Sequence, residues 1–363
     1  GQLMRSVLDL HAHAVLFGAR GAGKTSLVRA FGDHADERGH IVIYMSCGAG
    51  GDFASIFAPY LAEIPDACFA PGDRAAARAA LDGLPARFDA RALAAALSHV
   101  AARDLILVVD EFDQVHDPAA LREIAALLKL LSDMRARVQL LFVGIAGRMG
   151  ELIEAHPSLR RHLVAVPLGR FDPAGVEALF AGGEQRTGLR FTPEARETIA
   201  SLATGSPYHL RLFCFCAAMV AVEERTPVIG EAEVERGLRA ALAMWGSTNA
   251  TAVELFGNLA AESAAMRAGL ARLAREALAG DPTLPPRLAA LPPEAPSLVQ
   301  RQRRAALEAL APVLVTLADD TLQFDDPLAP QLLLAASYLA DREAAATPRI
   351  AAPHPSSHRE AFA

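Results

Sequence analysis

The chain has 363 residues and a formal net charge of -7, a length that allows two or three domains with a substantial core. Net acidity excludes a protein that coats nucleic acid over its whole surface, although a local basic face remains open to it. Mean hydropathy is +0.22, yet the longest strongly apolar run, Leu212 to Val222, is eleven residues, too short to cross a bilayer.

In chain order, the N-terminal segment carries Asp9, His11 and His13 and has no secretory signal pattern. Ala14 to Phe17 reads as a short buried strand and Ser26 to Phe31 as the first turns of an amphipathic helix. Between them lies GARGAGKTS, Gly18 to Ser26, a complete phosphate-binding loop in the strand, loop, helix context that it requires. Gly18, Gly21 and Gly23 let the backbone curl so that the N–H groups of Ala19, Arg20, Ala22 and their neighbours face phosphate, with the helix dipole behind them. Lys24 supplies a mobile cation, and Thr25 a hydroxyl for Mg²⁺. The sequence opens at Gly1 without an initiator methionine, so residues that pack on the base of a nucleotide are also to be sought upstream.

A second strand is expected over His40 to Cys47, with helices over Phe53 to Ile64 and Phe88 to Ala102 separated by a Pro- and Gly-bearing connection from Pro65 to Pro85. Leu105 to Val109 is a continuous apolar run of the kind found in a central strand covered on both faces, and it ends in Asp110-Glu111. This is the pattern of a Walker B motif. Asp110 would hold Mg²⁺ through water, and Glu111 would polarise the water that attacks the γ-phosphate. Pro118 to about Arg135 follows as a helix with Asp117 at its N-cap, then strands at Val138 to Val143 and Leu163 to Val166. Strands alternating with helices imply an α/β fold, a doubly wound parallel sheet of five strands with its site at the strands' carboxyl ends.

From Phe171 the pattern becomes helical, beginning at Asp172-Pro173 and again at Thr192-Pro193-Glu194. The helical run continues through Gly205-Ser206-Pro207 into Leu212 to Val222, and restarts after Gly230. Pro282 to Pro296 reads as a linker, Ser297 as the cap of a helix to about Leu310, Val313 to Leu317 and Thr321 to Phe324 as a hairpin, and Pro327 to Tyr338 as a closing helix. The expected domains are a core at 1–170, a helical lid at 171–245, a winged-helix-like region at 246–340 and a disordered tail at 341–363. Cys47, Cys68, Cys214 and Cys216 have neither zinc nor redox spacing and read as buried small hydrophobes, which makes the cytoplasm the expected compartment.

The succession GARGAGKTS, LILVVDEFD, LLFVGIAGRMGEL, HPSLRRHLVAVPL and TGLRFTPEARETIASLATGSPYHLRLF resembles the AAA+ P-loop ATPases over about Ala14 to Ala240, in particular the branch of origin-recognition-type initiators and bacterial STAND-like ATPases. The resemblance implies an ATPase with ATP and Mg as cofactors, a lid and a winged helix. Its initiator branch carries an asparagine after Gly-Ile-Ala that contacts the γ-phosphate; here Gly147 follows Gly144-Ile145-Ala146, which implies weak turnover, or a scaffold that never hydrolyses, unless Arg148 substitutes. Arg160, beside Arg161, lies where the family carries an arginine finger that reaches a neighbouring subunit, so a nucleotide-dependent homo-oligomer is implied; two adjacent loop arginines serve equally as solvated charge. Arg211, or His209, stands where the second sensor would touch phosphate. Arg301, Arg303 and Arg304 would face DNA if the region 297–324 were a reader, and a protein partner if it were an interaction module.

Overall fold

Five runs of apolar sequence become five parallel strands in the computed structural model, which describes residues 1–48, 50–145, 162–289 and 297–346. They are β1 (His13–Phe17), β2 (Ile41–Ser46), β3 (Leu105–Asp110), β4 (Val138–Gly144) and β5 (Leu163–Pro167). Their order across the sheet is β2-β3-β4-β1-β5, with every neighbouring pair parallel. This is the α/β P-loop arrangement that the sequence implies, and β3 and β4 are buried along their whole length, as strands covered on both faces must be.

Alternation along each strand sends side chains into two separate cores. Val15, Ile43, Leu107, Val109, Leu140 and Phe142 face the helices Phe53–Glu63, Ala90–Leu97 and Pro118–Asp133. Leu16, Ile106, Val108, Leu141 and Val143 meet Val28, Phe31 and Ala35 of the helix Lys24–Glu37, and Leu3, Val7 and Leu8 of the N-terminal segment. Phe31 is 1% exposed, and burial of such a side chain contributes about 1.5–3 kcal/mol. The helix that follows the glycine loop is therefore clamped to the sheet face on which its first turn must work.

Local chemistry accounts for most helix ends. Asp117 accepts from the N–H groups of Ala119 and Ala120, and Asp172 from that of Gly175, so both aspartates cap as their positions before proline predict. Two expectations are corrected. The connection from Pro65 to Pro85 contains a helix, Arg74–Asp82, whose buried stripe is Ala77 and Leu81, four residues apart. The helix expected over Phe88 to Ala102 runs only over Ala90–Leu97, because Asp89 caps it at 2.8 Å through Ala92 N–H and Val100 leaves to bridge Phe69.

His13 opens β1 and is 4% exposed. Its Nδ1 accepts the Leu140 N–H at 3.0 Å, and burial, helped by nearby His162, lowers its pKa from 6.5 to about 4. Because the folded pKa lies below the unfolded one, this group's contribution is complete above pH 6.5 and is lost as pH falls through 4. A gap of that width corresponds to about 3 kcal/mol. Chemical denaturation between pH 7 and pH 4 should show a loss of that size that His13→Gln lacks; parallel stability curves for the two proteins would show that His13 is not the titrating group.

The residues group into two compact units, one of Gly1–Thr187, Ala203–Leu212 and Ala277–Arg287, the other of Gly188–Leu202, Phe213–Glu276 and Leu288 onward. The start of the helix Pro207–Glu223, as far as Leu212, thus belongs with the sheet. In the second unit, the helix Ala250–Glu262, the helix Ala264–Leu278 as far as Glu276, and the helix Leu298–Ala309 precede an antiparallel hairpin, Leu314–Thr316 with Leu322–Phe324, in winged-helix-like order. Ser297 and Gln300 form a capping box on the third of these helices. Trp245 stacks on Phe256 with ring centroids 6.0 Å apart and donates to Asp326 at 2.9 Å. The closing helix, Ala329–Ala346, runs past the expected start of the tail at Asp341, because Asp341, Arg342 and Glu343 are tied to Arg267, Glu231, Glu235 and Arg239. Among the described residues no helix is long and apolar enough to cross a membrane, and the four cysteines are free.

Candidate functional site

The glycine loop hangs from the carboxyl end of β1, where Gly18 N–H donates to Gly144 O at the end of β4. Gly21 and Gly23 adopt φ of 79° and 87°, the left-handed region in which a side chain is strained. Gly18 is required for another reason: a Cβ there would lie 2.3 Å from the carbonyl oxygen of Leu168. Lys24 begins the following helix, and its Nζ donates to Gly18 O at 2.9 Å and Ala19 O at 3.0 Å. Burial lowers its pKa, while Asp113 and Asp110 pull in the opposite direction. The ammonium is thus a poorly hydrated cation, held by neutral carbonyls that an anion would readily replace.

The acid pair arrives from β3. Asp110 is 5% exposed; its Oδ2 accepts the Thr25 hydroxyl at 3.0 Å and its Oδ1 the Glu111 N–H at 2.8 Å. Tyr44, on β2, also donates to Oδ2. Its phenol is pushed up to about 12, by burial first and by Asp110 second, so it remains a donor at ordinary pH. Glu111 takes the left-handed conformation, φ 54° and ψ 34°, which costs about 1–2 kcal/mol for a residue with a Cβ. Phe112 stabilises that turn by packing on Phe142, ring centroids 4.7 Å apart. Thus turned, Glu111 receives the Ser46 hydroxyl on its Oε2 at 2.6 Å.

The loop and the acids share a cleft of about 900 Å³, within the range of small-ligand sites. Phe171, Leu179, Pro207 and Tyr208 give it an apolar side, and Arg20 and Arg211 add cations. Gly21, Ala22, Gly23, Thr25 and Ser26 line it as well. His209 is fully buried instead, its Nδ1 2.9 Å from Ser206 Oγ. Gly147, Arg148, Arg160 and Arg161 lie outside the described residues. Thr25 and Asp110 present hard oxygen donors 3.0 Å apart beside a phosphate-sized loop, a set that fits magnesium rather than a softer metal. Among the described residues no cluster of three His, Cys, Asp or Glu side chains suits a metal by itself.

Tyr44, Ser46, Asp113, Phe171, Leu179 and Tyr208 are site residues that the motifs do not reveal. For Tyr44 and Ser46 the usable signal was position: both close β2, and in a parallel sheet ligands gather at carboxyl ends. A second cavity, of about 550 Å³, lies at the opposite end of the strands beside His13, Asp104 and Arg135. It is remote from both the loop and the acid pair.

Residues 9–149 match the family model described as an AAA domain. A comparison with curated proteins finds no match. Among solved structures, the chain is similar to Cdc6p from Pyrobaculum aerophilum at 14% identity, covering 94% of this chain and 93% of that one with a TM-score of 0.47. It is also similar to the ORC1 protein of Aeropyrum pernix, whose structure is a complex with DNA, at 16% identity, 94% and 92% coverage and a TM-score of 0.45. A Walker-type ATPase of Pyrococcus abyssi gives 16% identity, 92% and 93% coverage and a TM-score of 0.46. Likeness at this level fixes no activity, substrate or partner for this chain. The match over residues 9–149 coincides with the stretch that supplies the phosphate loop and the strand-end acids, and that stretch of the chain is similar to an AAA domain.

Proposed function

We propose that the chain binds ATP with Mg²⁺ and hydrolyses it slowly, its nucleotide state switching a protein partner or its own assembly. The observation that carries this reading is the convergence of Lys24, Thr25, Asp110 and Glu111 on one cleft. Lys24 would leave the Gly18 and Ala19 carbonyls for phosphate, and the apolar side at Phe171, Leu179 and Tyr208 suits a flat base. Arg211 stands where it can meet phosphate charge. Mg²⁺, held by Thr25 and through water by Asp110, would neutralise charge developing on the phosphates. Glu111 would orient and deprotonate the attacking water.

One contact among the described residues supports the reading of slow turnover. The Ser46 hydroxyl holds Glu111 Oε2 at 2.6 Å and so restrains the carboxylate that would have to turn to water. Phosphate release from ATP should therefore depend on Mg²⁺, vanish in EDTA and rise several-fold in Ser46→Ala, since one net hydrogen bond is worth about 1 kcal/mol. A chain that shows no ATP binding by calorimetry defeats the proposal, and an unchanged rate in Ser46→Ala removes the restraint on Glu111 from it.

A protein partner is favoured over DNA by what the winged-helix-like region exposes. Arg303 is bound to Glu276 and to the carbonyl of Ala289, and so is spent within the fold. Leu298, Val299 and Val315 are exposed on the same helix and hairpin, an apolar set that suits a protein face better than a phosphate backbone.

A further inference from the structure

Three donors of separate origin hold the Asp110 carboxylate. Glu111 N–H serves Oδ1, while the hydroxyls of Thr25 and Tyr44 both serve Oδ2. Tyr44 pairs in register with Val108, and Ser46 with Asp110. Tyr44 and Asp110 are therefore diagonal neighbours on one face of the sheet, a separation that an aromatic side chain spans. That face is the one covered by the helix Lys24–Glu37, so Thr25 reaches the same oxygen from the helix side.

The two hydroxyls differ in what they are free to do. Thr25 sits at the junction of loop and helix, next to Lys24, and its oxygen lone pairs can meet a cation while its proton stays on Oδ2. Tyr44 belongs to a strand paired with β3 along its whole length, and its role at the carboxylate is that of a donor only. We propose that Tyr44 is a positioning residue for the divalent cation: its hydroxyl fixes the Asp110 carboxylate from the sheet side, at the oxygen that Thr25 holds from the helix side. The proposal rests on the reading of the cleft as an ATP and Mg²⁺ site. It adds that β2, which contributes nothing to either motif, sets the cation affinity.

Calorimetric titration of ATP into the full chain, in EDTA and over a series of Mg²⁺ concentrations, tests this. Tyr44→Phe, which removes one oxygen and leaves the ring, should bind ATP in EDTA as the parent does, while its half-saturating Mg²⁺ concentration rises roughly fivefold, the effect of one net hydrogen bond. Retained affinity in EDTA also shows that the variant is folded. Manganese, followed by electron paramagnetic resonance in the presence of ATP, should show the same weakening without any need for turnover. Asp110→Asn serves as the reference for loss of the cation contact. If Asp110→Asn weakens Mg²⁺ dependence and Tyr44→Phe does not, the role given to Tyr44 is overturned while the ATP site stands. If the parent fails to bind ATP, or if Asp110→Asn leaves the dependence on Mg²⁺ intact, the underlying site reading fails, and the proposal with it.

Discussion

Lys24→Ala should raise the ATP dissociation constant by on the order of 100-fold while leaving the fold in place. A charge-assisted hydrogen bond is worth about 1.5–3 kcal/mol, and the lysine closes the loop and lines the cleft. Its partners in the structure are the carbonyls of Gly18 and Ala19. Both lie on an open cleft, where water can replace the ammonium, so the loss to folding should be small. Calorimetry would measure the first effect and a thermal melt the second. Undiminished ATP affinity in a folded variant would sink the assignment of the loop. A large fall in melting temperature would instead mean that Lys24 holds the loop together.

Glu111→Gln should separate binding from chemistry. A positioned general base contributes about 10²–10⁴-fold, and the amide cannot accept a proton from water at neutral pH. Turnover should therefore fall by at least two orders of magnitude, while ATP affinity stays within a few-fold, because Asp110 and Thr25 are untouched. The amide keeps an oxygen that can accept from Ser46 and so preserves the turn. Single-turnover phosphate release gives the rate, and equilibrium binding gives the affinity. Turnover equal to the parent's would show that Glu111 is not the base and that its left-handed backbone serves only the loop after β3.

What the sequence determined by itself was whatever is local along the backbone. The loop from Gly18 to Ser26 places its N–H groups, its cation and its metal hydroxyl within nine consecutive residues, so spacing alone dictates their geometry. The apolar run before Asp110 likewise declares a central strand and an acid at its end, and Asp117 and Asp172 announce helix starts because a cap acts over three residues. Tertiary structure decided what depends on register. Tyr44 and Ser46 meet Asp110 and Glu111 only because β2 lies beside β3, across more than sixty residues of chain. The sequence offered Arg303 as a DNA contact, and packing gave it to Glu276. The helix Arg74–Asp82 was legible by contrast, since alanine is the strongest helix former and Ala77 and Leu81, four residues apart, make its buried stripe. Side chains that work alone in a motif are written consecutively, whereas those that restrain it are brought in by strand order and burial, which no short window of sequence contains.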